Sequence, residues 1–126
     1  MAGRYKGRQP IIVYGDGENA RDFFYVSDAI AAMTMALESS RAKGIYNIGS
    51  GGATSLNGII RIIEEVTRKK PSVTRLLERP SDTVKTIALD SAKAQKEFDW
   101  KPKVGLQEGI ALTWRWVRSG EPFTIG

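Results

Sequence analysis

Hydrophobic positions along this chain switch between a period of two and a period near 3.6, and the switches mark out its elements. Pro10 to Tyr14 is a short apolar run, β-branched in its middle and ended by Gly15-Asp16-Gly17. That pattern predicts a strand running into a turn. Asp22 to Val26 is aromatic-rich and reads as extended. Ser27 or Asp28 is placed to cap a helix over about 28–39, with Ile30, Met33 and Leu37 at helical spacing, and Gly44 stops it. Ile45 to Ile48 reads as a buried strand.

The clearest helix follows. Thr54 or Ser55 caps it, Leu56, Ile59, Ile60, Ile63 and Val66 form its apolar stripe, and Arg61, Glu64 and Glu65 face outward. Pro71 closes that element, and Val73 to Leu77 reads as a further strand. Arg79-Pro80-Ser81-Asp82 is a loop, and Asp90 or Ser91 caps a short helix ending near Phe98. Pro102 then breaks the chain before a final helix from Leu106 to Arg118, with Leu106, Ile110, Trp114 and Val117 along one side. Short strands alternating with about four helices give an α/β fold class. No internal repeat or low-complexity tract interrupts it.

Length and composition narrow the chemistry. With 126 residues there is room for one domain with a real core. A composition 41% hydrophobic and 26% charged is that of a soluble globular protein. No apolar run approaches the ~20 residues of a membrane span, and no secretory segment follows Met1. A cytoplasmic location is the resulting expectation. The chain has no Cys and no His, which excludes disulfides, thiol nucleophiles, Ser-His triads and nearly all zinc or iron sites. No Asp/Glu cluster has the spacing of a carboxylate metal loop, so no metal is expected. A formal net charge of +5 favours anionic partners, phosphate-bearing ones above all. Part of that charge, Arg68-Lys69-Lys70, falls at a helix C-terminus, where the helix dipole favours cations.

Several motifs carry candidate chemistry. Gly15-Asp16-Gly17-Glu18-Asn19-Ala20 matches the dinucleotide pattern G-x-G-x-x-[GA]. That motif requires a helix N-terminus directly after the glycines. Here aromatic, extended residues follow, and the match is rejected. Gly49-Ser50-Gly51-Gly52 before a helix is placed as an anion nest, but lacks the Lys-Ser/Thr of a P-loop. Arg21 and Arg79 each sit in or near a loop where a guanidinium fork could grip two phosphate oxygens. For Arg21 the competing reading is a local pairing with Asp22. Trp100 and Trp114 read as core residues, whereas Trp116 falls on a different face.

Taken in order, these segments resemble a known family. Val13-Tyr14-Gly15-Asp16-Gly17, Arg21 to Asp28, Tyr46-Asn47-Ile48-Gly49-Ser50-Gly51, Arg79-Pro80-Ser81-Asp82, Asp90 to Ala94 and Trp100-Lys101-Pro102 are similar to blocks of the extended short-chain dehydrogenases/reductases. More narrowly, they resemble nucleotide-sugar epimerases and dehydratases of the UDP-glucose 4-epimerase type. The likeness runs from about Gly7 to Val117. It implies that residues 1–126 are the C-terminal, nucleotide-sugar-binding domain of such an enzyme, without its main Rossmann sheet. It further implies that Arg21 and Arg79 hold the diphosphate of a UDP- or dTDP-sugar from two sides. Asp82 would contact the ribose or support Arg79, and Tyr14 would line the base pocket.

The family's N-terminal half carries the NAD loop and a Tyr-x-x-x-Lys pair. No Tyr here has Lys four positions on: Gln9, Glu18, Ala29 and Ser50 follow Tyr5, Tyr14, Tyr25 and Tyr46 at that spacing. A tyrosine acting as acid/base near neutral pH needs such a lysine to lower its pKa. The chain alone is therefore expected to hold no catalytic residue, to bind no NAD and to be inert, with NAD implied for the intact enzyme. Without its neighbours, the Ile45–Ile48 strand and the apolar helix faces would be left open, and the isolated chain is expected to dimerise. Two other functions compete: a stand-alone nucleoside-diphosphate binding module, and a small basic nucleic-acid-binding protein. For the latter, the Lys and Arg residues are scattered and no nucleic-acid-binding signature is present.

Overall fold

The computed structural model describes residues 9–80 and 83–120. Eight elements follow in the order β1 (Ile11–Tyr14), β2 (Ala20–Arg21), α1 (Val26–Glu38), β3 (Thr54–Ser55), α2 (Leu56–Thr67), β4 (Val73–Leu76), α3 (Ala92–Phe98) and α4 (Leu106–Ser119). The short strands form two small two-stranded sheets. Strands β1 and β4 pair in parallel, Ile11 opposite Val73 through to Tyr14 opposite Leu76. Parallel pairing needs a long crossover, here everything from the Gly15 turn to α2. Strands β2 and β3 pair antiparallel, Ala20 with Ser55 and Arg21 with Thr54.

Two helix pairs make the packing. Helices α2 and α4 lie against each other and enclose an apolar cleft of about 370 Å³ walled by Ile59, Ile63, Ile110 and Trp114, with Phe23 and Tyr25 at its end. Gly109 lets α4 approach closely: a Cβ there would stand 3.1 Å from the Tyr25 ring. Helices α1 and α3 share a core of Ala32, Ala94, Phe98 and Trp100, with Ala31, Met35, Tyr46 and Ile48 packed around it. As expected, Ser55 caps α2, its hydroxyl accepting from the Gly58 N–H at 3.1 Å.

Three sequence expectations need correction. Helix α1 starts at Val26 with Tyr25 at its N-cap and no side-chain cap. Asp28 cannot serve there because its carboxylate is turned inward, accepting the Lys103 and Val104 N–H groups, both at 3.0 Å. The Ile30/Met33/Leu37 stripe is exposed rather than packed; small residues and Asp28 line the buried side of α1. Residues 45–48 form no ladder among the described residues, and Ile45 is 88% exposed. Among the described residues no strand pairs with that segment.

Candidate functional site

Parallel register brings the C-terminal ends of β1 and β4 to one edge, so the segments that leave them emerge together. Tyr14 ends β1, and Gly15 turns the chain at φ +74°, a conformation that favours glycine. The Gly15 N–H donates to the Leu76 carbonyl at 2.9 Å, fastening this turn to the end of β4. Three residues beyond β4, the Arg79 guanidinium carbon lies 4.1 Å from the centre of the Tyr14 ring. A guanidinium on an exposed aromatic face is worth roughly 0.5–1 kcal/mol, enough to bias its position.

Arg21 ends β2. Its Nη1 donates to the carbonyls of Ala20 at 2.8 Å and Lys85 at 3.3 Å. The backbone around Lys85 runs beside β2: the Ala20 N–H donates to Lys85 O at 2.8 Å and the Ile87 N–H to Ala20 O at 3.1 Å. Lys85 in turn forms an ion pair with Glu78, the neighbour of Arg79. Tyr14 and Arg79 are thus in contact, and Arg21 is tied to the backbone of the connection that carries Arg79. Asp82, the fourth residue singled out from sequence, lies outside the described residues.

The Gly15–Ala20 turn departs from a dinucleotide cradle, in agreement with the sequence reading. It leads into β2 rather than a helix, and its backbone is already engaged. Asn57 donates through its N–H to Gly17 O at 3.0 Å and through Nδ2 to Asp16 O at 2.9 Å. Arg75 donates to Asp16 O at 2.7 Å and to Asn57 Oδ1 at 2.9 Å. A Cβ on Gly17 would fall 2.4 Å from Asn57 Oδ1, so the position also needs glycine for space.

Sequence reasoning missed the residue that organises the neighbouring loops. The Asp22 carboxylate accepts the Ser50 N–H at 2.9 Å, the Ser50 hydroxyl at 2.5 Å, and the Gly51 and Leu89 N–H groups, each at 3.0 Å. The glycine-rich nest at 49–52 is therefore filled by an anion of the chain itself, and Asp22 makes that contact instead of pairing with Arg21. The available signal was the glycine nest itself, which lacks a P-loop lysine and so leaves room for an anion of the chain. Gly49 is buried against it: a Cβ would stand 2.6 Å from Asp22 Oδ2 and 2.8 Å from the Leu89 Cβ.

Burial pushes the Asp22 carboxyl up, but the hydrogen bonds from Ser50, Leu89 and Gly51 outweigh it and hold the group below its ordinary value of 3.8. A carboxyl lowered on folding stabilises the fold above its unfolded pKa, and that contribution disappears as pH falls through the folded pKa. Thermal midpoints measured from about pH 5 downward should therefore fall, and Asp22→Asn should flatten that acid limb. An unchanged limb in the variant would assign the acid sensitivity elsewhere.

Comparison with known proteins places this geometry. Residues 1–113 match the family model described as GDP-mannose 4,6 dehydratase. UDP-glucose 4-epimerase 4 of Oryza sativa subsp. japonica is 35% identical over 93% of this chain, which spans 34% of that protein. Among solved structures, the UDP-glucose 4-epimerase of Thermotoga maritima with UDP-glucose superimposes with a TM-score of 0.79 at 33% identity, covering 88% of this chain and 35% of its own. The UDP-glucuronic acid 4-epimerase of Bacillus cereus, in complex with UDP-glucuronic acid and NAD, gives 0.79 at 27% identity, over 88% and 36%. The chain thus spans about a third of the length of the proteins it matches.

Proposed function

The chain belongs to the GDP-mannose 4,6 dehydratase family, and from that premise we propose that it is the nucleotide-sugar-binding part of an NAD-dependent epimerase/dehydratase. In this reading Arg21 and Arg79 grip the diphosphate of a UDP- or dTDP-sugar, and Tyr14 lines the base pocket. Asp82 contacts the ribose or supports Arg79. The observation that carries the reading is the Arg79 guanidinium seated on Tyr14 at 4.1 Å, beyond the carboxyl ends of a parallel strand pair. Crevices at the carboxyl ends of parallel strands are the usual ligand position in α/β sheets. Two guanidinium forks on a group bearing two phosphate charges give directional, charge-assisted anchoring.

NAD does not fit this chain's own residues. The glycine turn at 15–20 opens into a strand with its carbonyls already bonded, and no Tyr has Lys four positions on. The dinucleotide and the acid/base pair belong to the rest of the enzyme, and this chain alone is inert: it binds and orients, while oxidation and re-reduction of the sugar take place elsewhere.

UDP or a dTDP-sugar should raise the thermal midpoint of the chain, and single-stranded RNA should not. Arg79→Ala should abolish the gain. Each charge-assisted pair is worth about 1.5–3 kcal/mol, roughly tenfold to hundredfold in affinity. A nucleotide shift that survives the substitution would show the diphosphate assignment to be wrong.

A further inference from the structure

The flat face of Tyr14 is already in use. Val13 is buried, so alternation along β1 turns Ile12 and Tyr14 to the opposite face of the β1/β4 ribbon. Their partners in the parallel register are Thr74 and Leu76, and Ile12 and Leu76 are 54% and 44% exposed. A planar, weakly polar ring settles on such ground. Yet the Arg79 guanidinium covers the Tyr14 ring, its carbon 4.1 Å from the ring centre.

The two roles proposed for this pair compete in that arrangement. A nucleobase and a guanidinium both stack through the π-face of Tyr14. A diphosphate instead needs the Arg79 fork turned toward its own oxygens. The main chain on either side is pinned, by the Gley15 N–H on Leu76 O at 2.9 Å and by the Glu78–Lys85 ion pair. Arg79 itself is exposed, so its side chain is the part that can leave. Arg21 takes no part in the competition, because carbonyls of Ala20 and Lys85 hold its Nη1.

We infer that Arg79 makes this site select nucleoside diphosphates over free nucleosides. Its guanidinium covers the Tyr14 ring until a diphosphate draws it away, and so it couples the two halves of one ligand. The inference rests on the proposed assignment of Arg79 to the diphosphate and Tyr14 to the base. A guanidinium on an exposed aromatic face is worth a factor of roughly two to five in an equilibrium constant. A nucleoside alone meets that factor as a penalty, whereas a nucleoside diphosphate supplies the group that removes it. Coupling of this kind is reciprocal: each half strengthens the binding of the other equally.

Uridine and inorganic pyrophosphate, titrated into the chain separately and together and followed by NMR chemical shifts, read the two halves. In the unsubstituted chain, saturating pyrophosphate should tighten uridine binding roughly two- to fivefold. Arg79→Ala should bind uridine more tightly by that factor from the start and gain nothing further from pyrophosphate. Its affinity for pyrophosphate itself should fall roughly tenfold or more. Tyr14→Leu should show the opposite sign, with uridine weaker and pyrophosphate tighter, because the guanidinium has no ring to leave. Equal uridine affinity in the unsubstituted chain and Arg79→Ala, or uridine binding indifferent to pyrophosphate, would overturn the inference. So would the absence of measurable uridine binding to Arg79→Ala. Pyrophosphate that fails to bind, or binds Arg79→Ala undiminished, would instead remove the diphosphate reading and this inference with it.

Discussion

Trp100→Ala is expected to cost about 3–5 kcal/mol, the usual range for truncating a large buried aromatic. Trp100 is 1% exposed and sits in the cluster that joins α1 to α3. Its indole N–H donates to the Asp28 carbonyl at 2.9 Å, and its ring meets Phe24 edge-on at 6.4 Å. The substitution therefore opens a cavity and breaks a buried hydrogen bond together. Against a typical domain stability of about 5–15 kcal/mol, much of the fold's margin would go. Urea unfolding followed by circular dichroism measures the loss. Trp116→Ala is the informative contrast, since at 47% exposure it should change stability by only about half a kcal/mol. Equal losses at the two positions would mean that the α1/α3 cluster is not the stabilising centre.

The parts of this fold that local chemistry determines were legible in the sequence. Helix α2 is the clearest case: its stripe, its Ser55 cap and its end before Pro71 are all short-range features, and each is found in the structure. Strands β1 and β4 were visible as apolar runs, but their parallel partnership was not, because it joins residues separated by the whole crossover. Helix α1 shows why periodicity can mislead. Its strongest apolar stripe is exposed in this chain, and its buried side is carried by alanines and one aspartate. Apolar spacing tells which face of a helix seeks cover without telling what covers it.

The site divides in the same way. Tyr14 and Arg79 were named from sequence and are found in contact, since a parallel register delivers both to one edge. Asp22 and Asp28 were not named as organising residues. Each works by accepting backbone N–H groups from distant loops: Asp22 from Ser50, Gly51 and Leu89, Asp28 from Lys103 and Val104. Such bonds leave no periodic trace, because the donor is main chain and any residue type can supply it. The resemblance to a known family covered these stretches as blocks without saying what their carboxylates do.

Asp28 is where that gap has the largest measurable consequence. The residue is 3% exposed, and a single carboxylate oxygen, Oδ2, takes both N–H groups of the turn leading into α4. Asp28→Ala leaves two part-buried donors without that partner, at about 1–3 kcal/mol each, so a loss near 3 kcal/mol or more is expected. Because one oxygen makes both contacts, Asp28→Asn can keep them with its amide carbonyl, and its cost should be well below that of alanine. The pair of variants, compared by urea unfolding, separates acceptor geometry from charge. Equal losses would mean that the negative charge itself, and not the shared acceptor, fixes the turn. With geometry in control, α1 sets the path of residues 103–105 and thereby the start of α4, whose far side closes the cleft with α2. A local defect at Asp28 should then also loosen α4, seen as faster amide exchange in 106–119, while β1 and β4, on the other side of the crossover, keep their protection.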